Sequence, residues 1–304
     1  MWGSLIGDCI GSFWEFSGNK DSSIPLWVPA CRFTDDSVCT GAIAAWLTQR
    51  DGERKPLQDV LHQRCRANLS SGFGDRMVAW ILSDDPKPYG SWGNGAAMRV
   101  SPIALFAQSE DEALRLAEIS TRPTHNHPES VRGAQATVLA IRHAFEHRDP
   151  DGLLAFIEAR FDYEGLTQRR HEDERAAHVF DVSCKGTVPL ALSIAARAGS
   201  FDDTMRQCCS MGGDADTLAA IAGPVAEALY GIPRQHLENA RRRFHAEDDI
   251  FEAVEAIYTL PQVQEQLQSW GRADGTIVSE TDPRRVPRLG EKLSQLNTQR
   301  QTNG

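Results

Sequence analysis

The chain has 304 residues, 41% hydrophobic and 24% charged, with a formal net charge of −10. That length can enclose a sizeable core in one large domain or two small ones. The acidic balance argues against nucleic-acid binding driven by overall charge and suits a protein that gathers carboxylates around cations.

The opening, MWGSLIGDCIGSFWEF, lacks the basic start of a signal peptide. No apolar run reaches the roughly 18 residues of a membrane span. Seven cysteines at irregular spacing, with no C-x-x-C, suggest neither a disulfide framework nor a zinc site. The expectation is a soluble, cytoplasmic protein with reduced thiols and no membrane partner.

In chain order, Gly3, Gly7 and Gly11 recur every four residues and predict a helix whose small face admits a close neighbour. Asp8 and Glu15, seven apart, would share that face. Trp14 and Phe16 flank Glu15 and would raise its pKa toward use as an acid or base. Residues 38–48 predict a helix with Val38, Ala42, Ala45 and Trp46 on one face. Residues 133–146 align Ala134, Val138, Ile141 and Phe145, and residues 187–198 align Val188, Leu192 and Ala195, with Pro189 in the first turn. Residues 216–230 align Leu218, Ile221, Val225 and Leu229, with a kink or short break at Gly223-Pro224 and a stop at Gly231 and Pro233. Strand signals are nearly absent. The reading is all-α: one compact multi-helix domain over residues 1–262, then a polar tail or peripheral arm over 263–304. The mixed-charge run 167–178 reads as a solvated loop or helix face.

Two acidic clusters stand at loop-to-helix junctions. Thr34, Asp35 and Asp36 precede one apolar helix; Asp214, Asp216 and Thr217 follow Gly212-Gly213 and open another. Each alone reads as a helix cap. Together they supply only oxygen donors, the set preferred by Mg²⁺, Mn²⁺ or Ca²⁺. If they meet, four carboxylates crowd one pocket, and two divalent cations would neutralise them. The segment Gly93-Asn94-Gly95-Ala96-Ala97-Met98 is a small-residue loop whose N–H groups could cradle a phosphate, and it is not a P-loop. His125 and Asn126 lie just before a helix that starts at Pro128.

The ordered set G-D-x-x-G-x-x-x-E, T-D-D-S, G-N-G-A-A-M-R, T-H-N-x-P and G-G-D-A-D-T resembles the ADP-ribosylglycohydrolase family, from Gly3 to about Pro233. The resemblance implies an all-α fold with two divalent cations, Mg²⁺ or Mn²⁺. It also implies hydrolysis of the C1″ glycosidic bond between ADP-ribose and a protein side chain or small acceptor. Carried onto this chain, it implies that Thr34, Asp35, Asp36, Asp214, Asp216 and Thr217 are metal ligands. Gly93, Asn94, Gly95, Ala96 and Met98 would receive the diphosphate, and His125 and Asn126 would touch ADP-ribose. Glu15 or Asp35 would serve catalysis. The alternative is a non-catalytic ADP-ribose-binding, immunity or structural relative. Ser37 stands where the family commonly has Thr.

Overall fold

The computed structural model describes residues 1–50, 52, 54–244, 249–272 and 277–278. Among them the helices are α1 (Trp2–Gly11), α2 (Asp35–Leu47), α3 (Leu57–Ala67), α4 (Asp75–Leu82), α5 (Ser101–Phe106), α6 (Glu110–Thr121), α7 (Pro128–His147), α8 (Pro150–Phe161), α9 (His171–Glu174), α10 (Cys184–Arg197), α11 (Phe201–Cys209), α12 (Ala215–Tyr230), α13 (Arg234–Arg241), α14 (Ile250–Thr259) and α15 (Pro261–Ser269). A 3₁₀ turn spans Asn94–Ala96. Two short strands, β1 (Ile232–Pro233) and β2 (Ile277–Val278), pair in parallel. The fold is all-α, as the sequence pattern predicts.

Helix α12 is the axis of the molecule. It is buried on every side from Ala215 to Leu229 and packs on α1, α7, α10 and α11. Apart from Asp216, Thr217 and Glu227 its buried residues are apolar or small, as suits a helix inside a core. Helix α1, itself buried along its whole length, lies directly against it. A Cβ on Gly3 would stand 2.3 Å from the Gly223 carbonyl oxygen, and one on Gly7 2.2 Å from that of Ala219. One on Gly11 would stand 2.4 Å from Asp216 Cα. The glycine face therefore sets a backbone-to-backbone approach that no side chain could permit.

Several boundaries differ from the sequence expectation. α1 stops at Gly11 and does not carry Glu15. Gly11 faces Asp216, at the start of α12, so a longer helix would run past its partner; the chain turns instead, with Trp14 N–H donating to the Gly11 carbonyl at 2.7 Å. α12 continues as helix through Gly223-Pro224, so the chain does not break there; packing against several helices supports it across the one hydrogen bond that proline cannot make. It ends at Gly231, whose φ is +73°. α10 begins at Cys184, capped by the Ser183 hydroxyl, so Pro189 lies inside the helix rather than in its first turn. α2 is buried nearly all round as far as Ala44, and it is Ala45 and Trp46 that are half-buried.

The charged run 167–178 is largely exposed but docked. Arg197 of α10 donates to the carbonyls of Thr167 (2.6 Å) and Arg169 (2.9 Å), and His171 is buried. Within 263–304, residues 263–269 complete α15, which buries Val263 and Leu267. Beyond Arg272 all but 277–278 lie outside the described residues.

Candidate metal centre

The first acidic corner is built by a residue from another helix. Thr34 precedes α2, but its hydroxyl does not cap that helix. Asp8 of α1 does so instead. Its Oδ2 accepts the N–H groups of Thr34 (2.9 Å) and Ser37 (3.1 Å) and the Ser37 hydroxyl; its Oδ1 accepts the Thr34 hydroxyl at 2.5 Å. Orphan donors at a helix start are thus satisfied from outside. That leaves Asp35 and Asp36 free of capping duty. The second corner is likewise braced by a residue from elsewhere in the chain. Asp214 precedes α12 without capping it, and its Oδ2 accepts the Asn94 amide at 2.6 Å. The expectation that these clusters cap their own helices is therefore corrected at both corners.

The α1–α12 contact brings the corners together. Asp8, Asp36 and Asp216 each offer an oxygen within 4.8 Å of the others, and so do Glu15, Asp214 and Asp216. Asp216 belongs to both groups. The Thr217 hydroxyl donates to Asp36 Oδ2 at 3.3 Å, bridging residues 181 positions apart. Asp36 and Asp216 are 1% and 3% exposed. Burial, then the neighbouring charges, push both carboxyls well above the usual carboxylate range. Asp214 is also pushed up by burial, against its bonds from Asp216, Asn94 and Thr217. Glu15 is raised to about 7, first by burial and then by the Asp214 charge.

One atom tests whether these residues fit cations. Asp36 Oδ1 is buried and accepts no hydrogen bond. An unpartnered carboxylate oxygen beside other carboxylates is costly, and a hard cation relieves that cost. The donor set is all oxygen, as Mg²⁺ or Mn²⁺ requires. Asp8, already accepting four bonds, holds α2 in place, which leaves Asp36 and Asp216 the carboxylates more available to a cation.

An open cleft of about 510 Å³ lies over this floor. Glu15, Asp35, Asp214 and Thr217 face it, while Thr34, Asp36 and Asp216 are not on its surface. Asp35 belongs to neither close carboxylate group. Gly93, Asn94, Gly95, Met98 and His125 line the wall; Ala96 is fully buried, and exposed Asn126 does not reach the cleft. Asn126 Oδ1 accepts the Gly90 N–H at 2.8 Å and so shapes the preceding loop. The expectation of free N–H groups at the glycine loop meets a different arrangement. Those of Gly93, Asn94, Ala97 and Met98 bond within the protein, to Ser91 Oγ, the Val182 carbonyl and the Asn94 carbonyl. Gly95 is needed for packing, since a Cβ there would stand 2.8 Å from the His125 ring. Burial holds His125 well below the usual imidazole range, so it faces the cleft neutral.

Two site residues are singled out by the sequence but play other roles. Asp8, expected to share a helix face with Glu15, caps the start of α2. Asn94 reads as a ligand contact, whereas its amide is spent on Asp214 and Thr187.

Residues 1–267 match the sequence model of the ADP-ribosylglycohydrolase family. The chain belongs to the ADP-ribosylglycohydrolase family. It is 23% identical over 307 residues to ADP-ribosylhydrolase ARH3 of Homo sapiens, covering 76% of this chain and 84% of that one. It is 24% identical over 273 residues to ADP-ribosylarginine hydrolase Tri1 of Pseudomonas putida (strain GB-1), covering 76% and 69%. A solved ADP-ribosylglycohydrolase-related protein complex shares the fold, with a TM-score of 0.59 and 23% identity over 84% of this chain and 96% of that one. Membership in the glycohydrolase family supports ADP-ribosyl hydrolase activity. Among the described residues, no helix is long and apolar enough to cross a membrane.

Proposed function

We propose that this protein hydrolyses the C1″ glycosidic bond joining ADP-ribose to a protein side chain or small acceptor. We propose further that it does so with two divalent cations, Mg²⁺ or Mn²⁺. The observation that carries the reading is the meeting of Asp36 and Asp216 under one cleft, with Asp36 Oδ1 left unbonded. Thr34, Asp35, Asp36, Asp214, Asp216 and Thr217 would hold the cations, with Asp8 fixing the start of α2 and Asn94 holding the Asp214 carboxylate. When bound, the cations would neutralise the carboxylates and supply Lewis-acid contacts to substrate hydroxyls.

The protein's own groups do the rest. The wall from Gly93 to Met98, with neutral His125, confines the ADP-ribosyl group, so binding energy remote from C1″ positions the reacting carbon. Glu15, raised to about 7 by burial, stands at the cleft edge of the carboxylate floor. In its ionised form it accepts a proton from the attacking water as the C1″ bond breaks through an oxocarbenium-like state. The water oxygen joins C1″, and the leaving acceptor takes a proton from solvent. Asp35, facing the same cleft, is the second carboxylate able to hold that proton.

The test is ADP-ribose release from arginine-linked and serine-linked peptides with Mg²⁺, Mn²⁺ or EDTA. Metal-dependent release of free ADP-ribose is the expected result. Asp36→Ala with Asp216→Ala should lower it by on the order of 10²-fold or more. Unchanged release by that double variant would sink the metal role, AMP as product would indicate a phosphatase, and ADP-ribose binding without release would indicate a non-catalytic relative.

A further inference from the structure

Cys39 and Cys65 form a thiol pair that the proposed hydrolysis does not use. Cys39 lies on α2, one turn beyond Asp35, and lines the cleft; Cys65 lies on α3, behind it. Their sulfurs are 3.9 Å apart and both residues are buried. Arg99, fully buried in the cleft wall, donates to the Ser120 carbonyl at 2.8 Å and the Thr124 hydroxyl at 2.9 Å. Its Nε has no partner.

We propose that Cys39 and Cys65 are an oxidisable dithiol that closes to a disulfide when a hydroperoxide enters the cleft. Three features argue for it. The sulfurs already touch, so a disulfide of about 2.05 Å needs a closure of only about 2 Å, within reach of side-chain rotation and a small approach of α3 to α2. The cleft gives a small oxidant a path to Cys39. Cys39 is also set apart electrostatically: its contact with the Cys65 sulfur and the neighbouring Arg99 charge favour its thiolate despite burial. The other six thiols are all pushed up by burial.

The chemistry balances with hydrogen peroxide as the oxidant. The Cys39 sulfur attacks one peroxide oxygen and the O–O bond breaks. Hydroxide departs with the Cys39 proton as water, leaving a sulfenic acid. The Cys65 sulfur then attacks the Cys39 sulfur. The S–O bond breaks, the S–S bond forms, and a second water carries off the Cys65 proton. The two thiols lose two electrons and the peroxide gains them. The disulfide would tie α2, whose first turn holds Asp35 and Asp36, to α3, so the acidic corner would feel the redox state of the cleft.

The full chain is treated with hydrogen peroxide beside glutathione as a reference thiol, then denatured, alkylated and mapped by peptide mass. The expected product is a Cys39–Cys65 linked peptide, two hydrogens lighter, formed about tenfold faster than any modification of Cys208 or Cys209 and reversed by dithiothreitol. Cys65→Ser should stop at a Cys39 adduct of a sulfenic-acid probe, and Cys39→Ser should leave Cys65 unmodified. Wild-type protein that keeps both thiols at a dose consuming the glutathione overturns the proposal, and that result needs no variant to fold. Equal oxidation of Cys65 in Cys39→Ser overturns it as well. Neither readout depends on hydrolase activity, so this inference and the proposed function fail separately.

Discussion

The floor of the cleft and its rim are built on different physical terms. The floor is backbone against backbone: α1 meets α12 through Gly3, Gly7 and Gly11, and that contact fixes Asp8 beside Asp36 and Asp216. Glu15 instead rides on the loop after α1, held by side chains. Lys20 Nζ donates to the carbonyls of His178 (2.7 Å) and Met211 (2.5 Å), and the Phe16 and Phe180 rings stack with centroids 5.6 Å apart. Phe16 is 81% exposed. A close-packed interior tolerates no added volume, while an exposed loop tolerates much. Damage to the floor should therefore cost stability first, and damage to the rim should cost rate with the fold intact.

The largest effect should come from Gly7→Val, which drives a branched side chain into the Ala219 carbonyl. A loss of about 3 kcal/mol or more is expected, seen as a collapsed melting temperature or insoluble protein. Near-wild-type melting would mean that the helix contact is looser than described. Asp8→Ala should follow, at about 2–3 kcal/mol by chemical denaturation, because it strands the N–H groups of Thr34 and Ser37. Asp8→Ala should also weaken Mn²⁺ binding; if it left both properties unchanged, the floor would not depend on this cap.

Cations and pH come next. Without metal, the carboxyls of Asp36, Asp214, Asp216 and Glu15 are all raised, so the folded state holds protons that the unfolded state has released. Stability from such groups is complete below their unfolded values and is lost as pH rises through the folded ones; for Glu15 the window runs from 4.5 to about 7. Chelated protein should melt higher at about pH 5 than at about pH 8. Mn²⁺ at about 100 times its Kd should add about 2.7 kcal/mol per site at the higher pH. The opposite pH trend in chelated protein would contradict the crowded floor. The smallest stability effect belongs to the rim. Glu15→Gln should melt as wild type or slightly higher, while turnover falls by about 10²-fold or more. A large loss of stability there would make the rim a structural element.

What the sequence revealed follows from how local each signal is. The glycine face and both acidic clusters are legible because helical spacing and ligand chemistry reside within a few residues. Asp8 as the cap of α2 is not legible, since its partners lie 26 and 29 positions away and meet it only through the tertiary fold. The end of α1 is hidden for the same reason: Gly11 marks the limit of α12, which local propensity cannot sense. Asn94 illustrates a third case, where the residue is singled out correctly but its amide is engaged by Asp214 and not left for a ligand. The thiol pair of Cys39 and Cys65 has no motif at all, because it joins two helices through one contact.

The most direct measurement is a crystal structure of the protein grown with Mn²⁺, with anomalous scattering recorded at the manganese edge. Two strong peaks should appear under the cleft, one against Asp36 and Asp216 and one against Asp214 and Asp216. Fully occupied manganese elsewhere on the surface with none at these carboxylates would contradict the account.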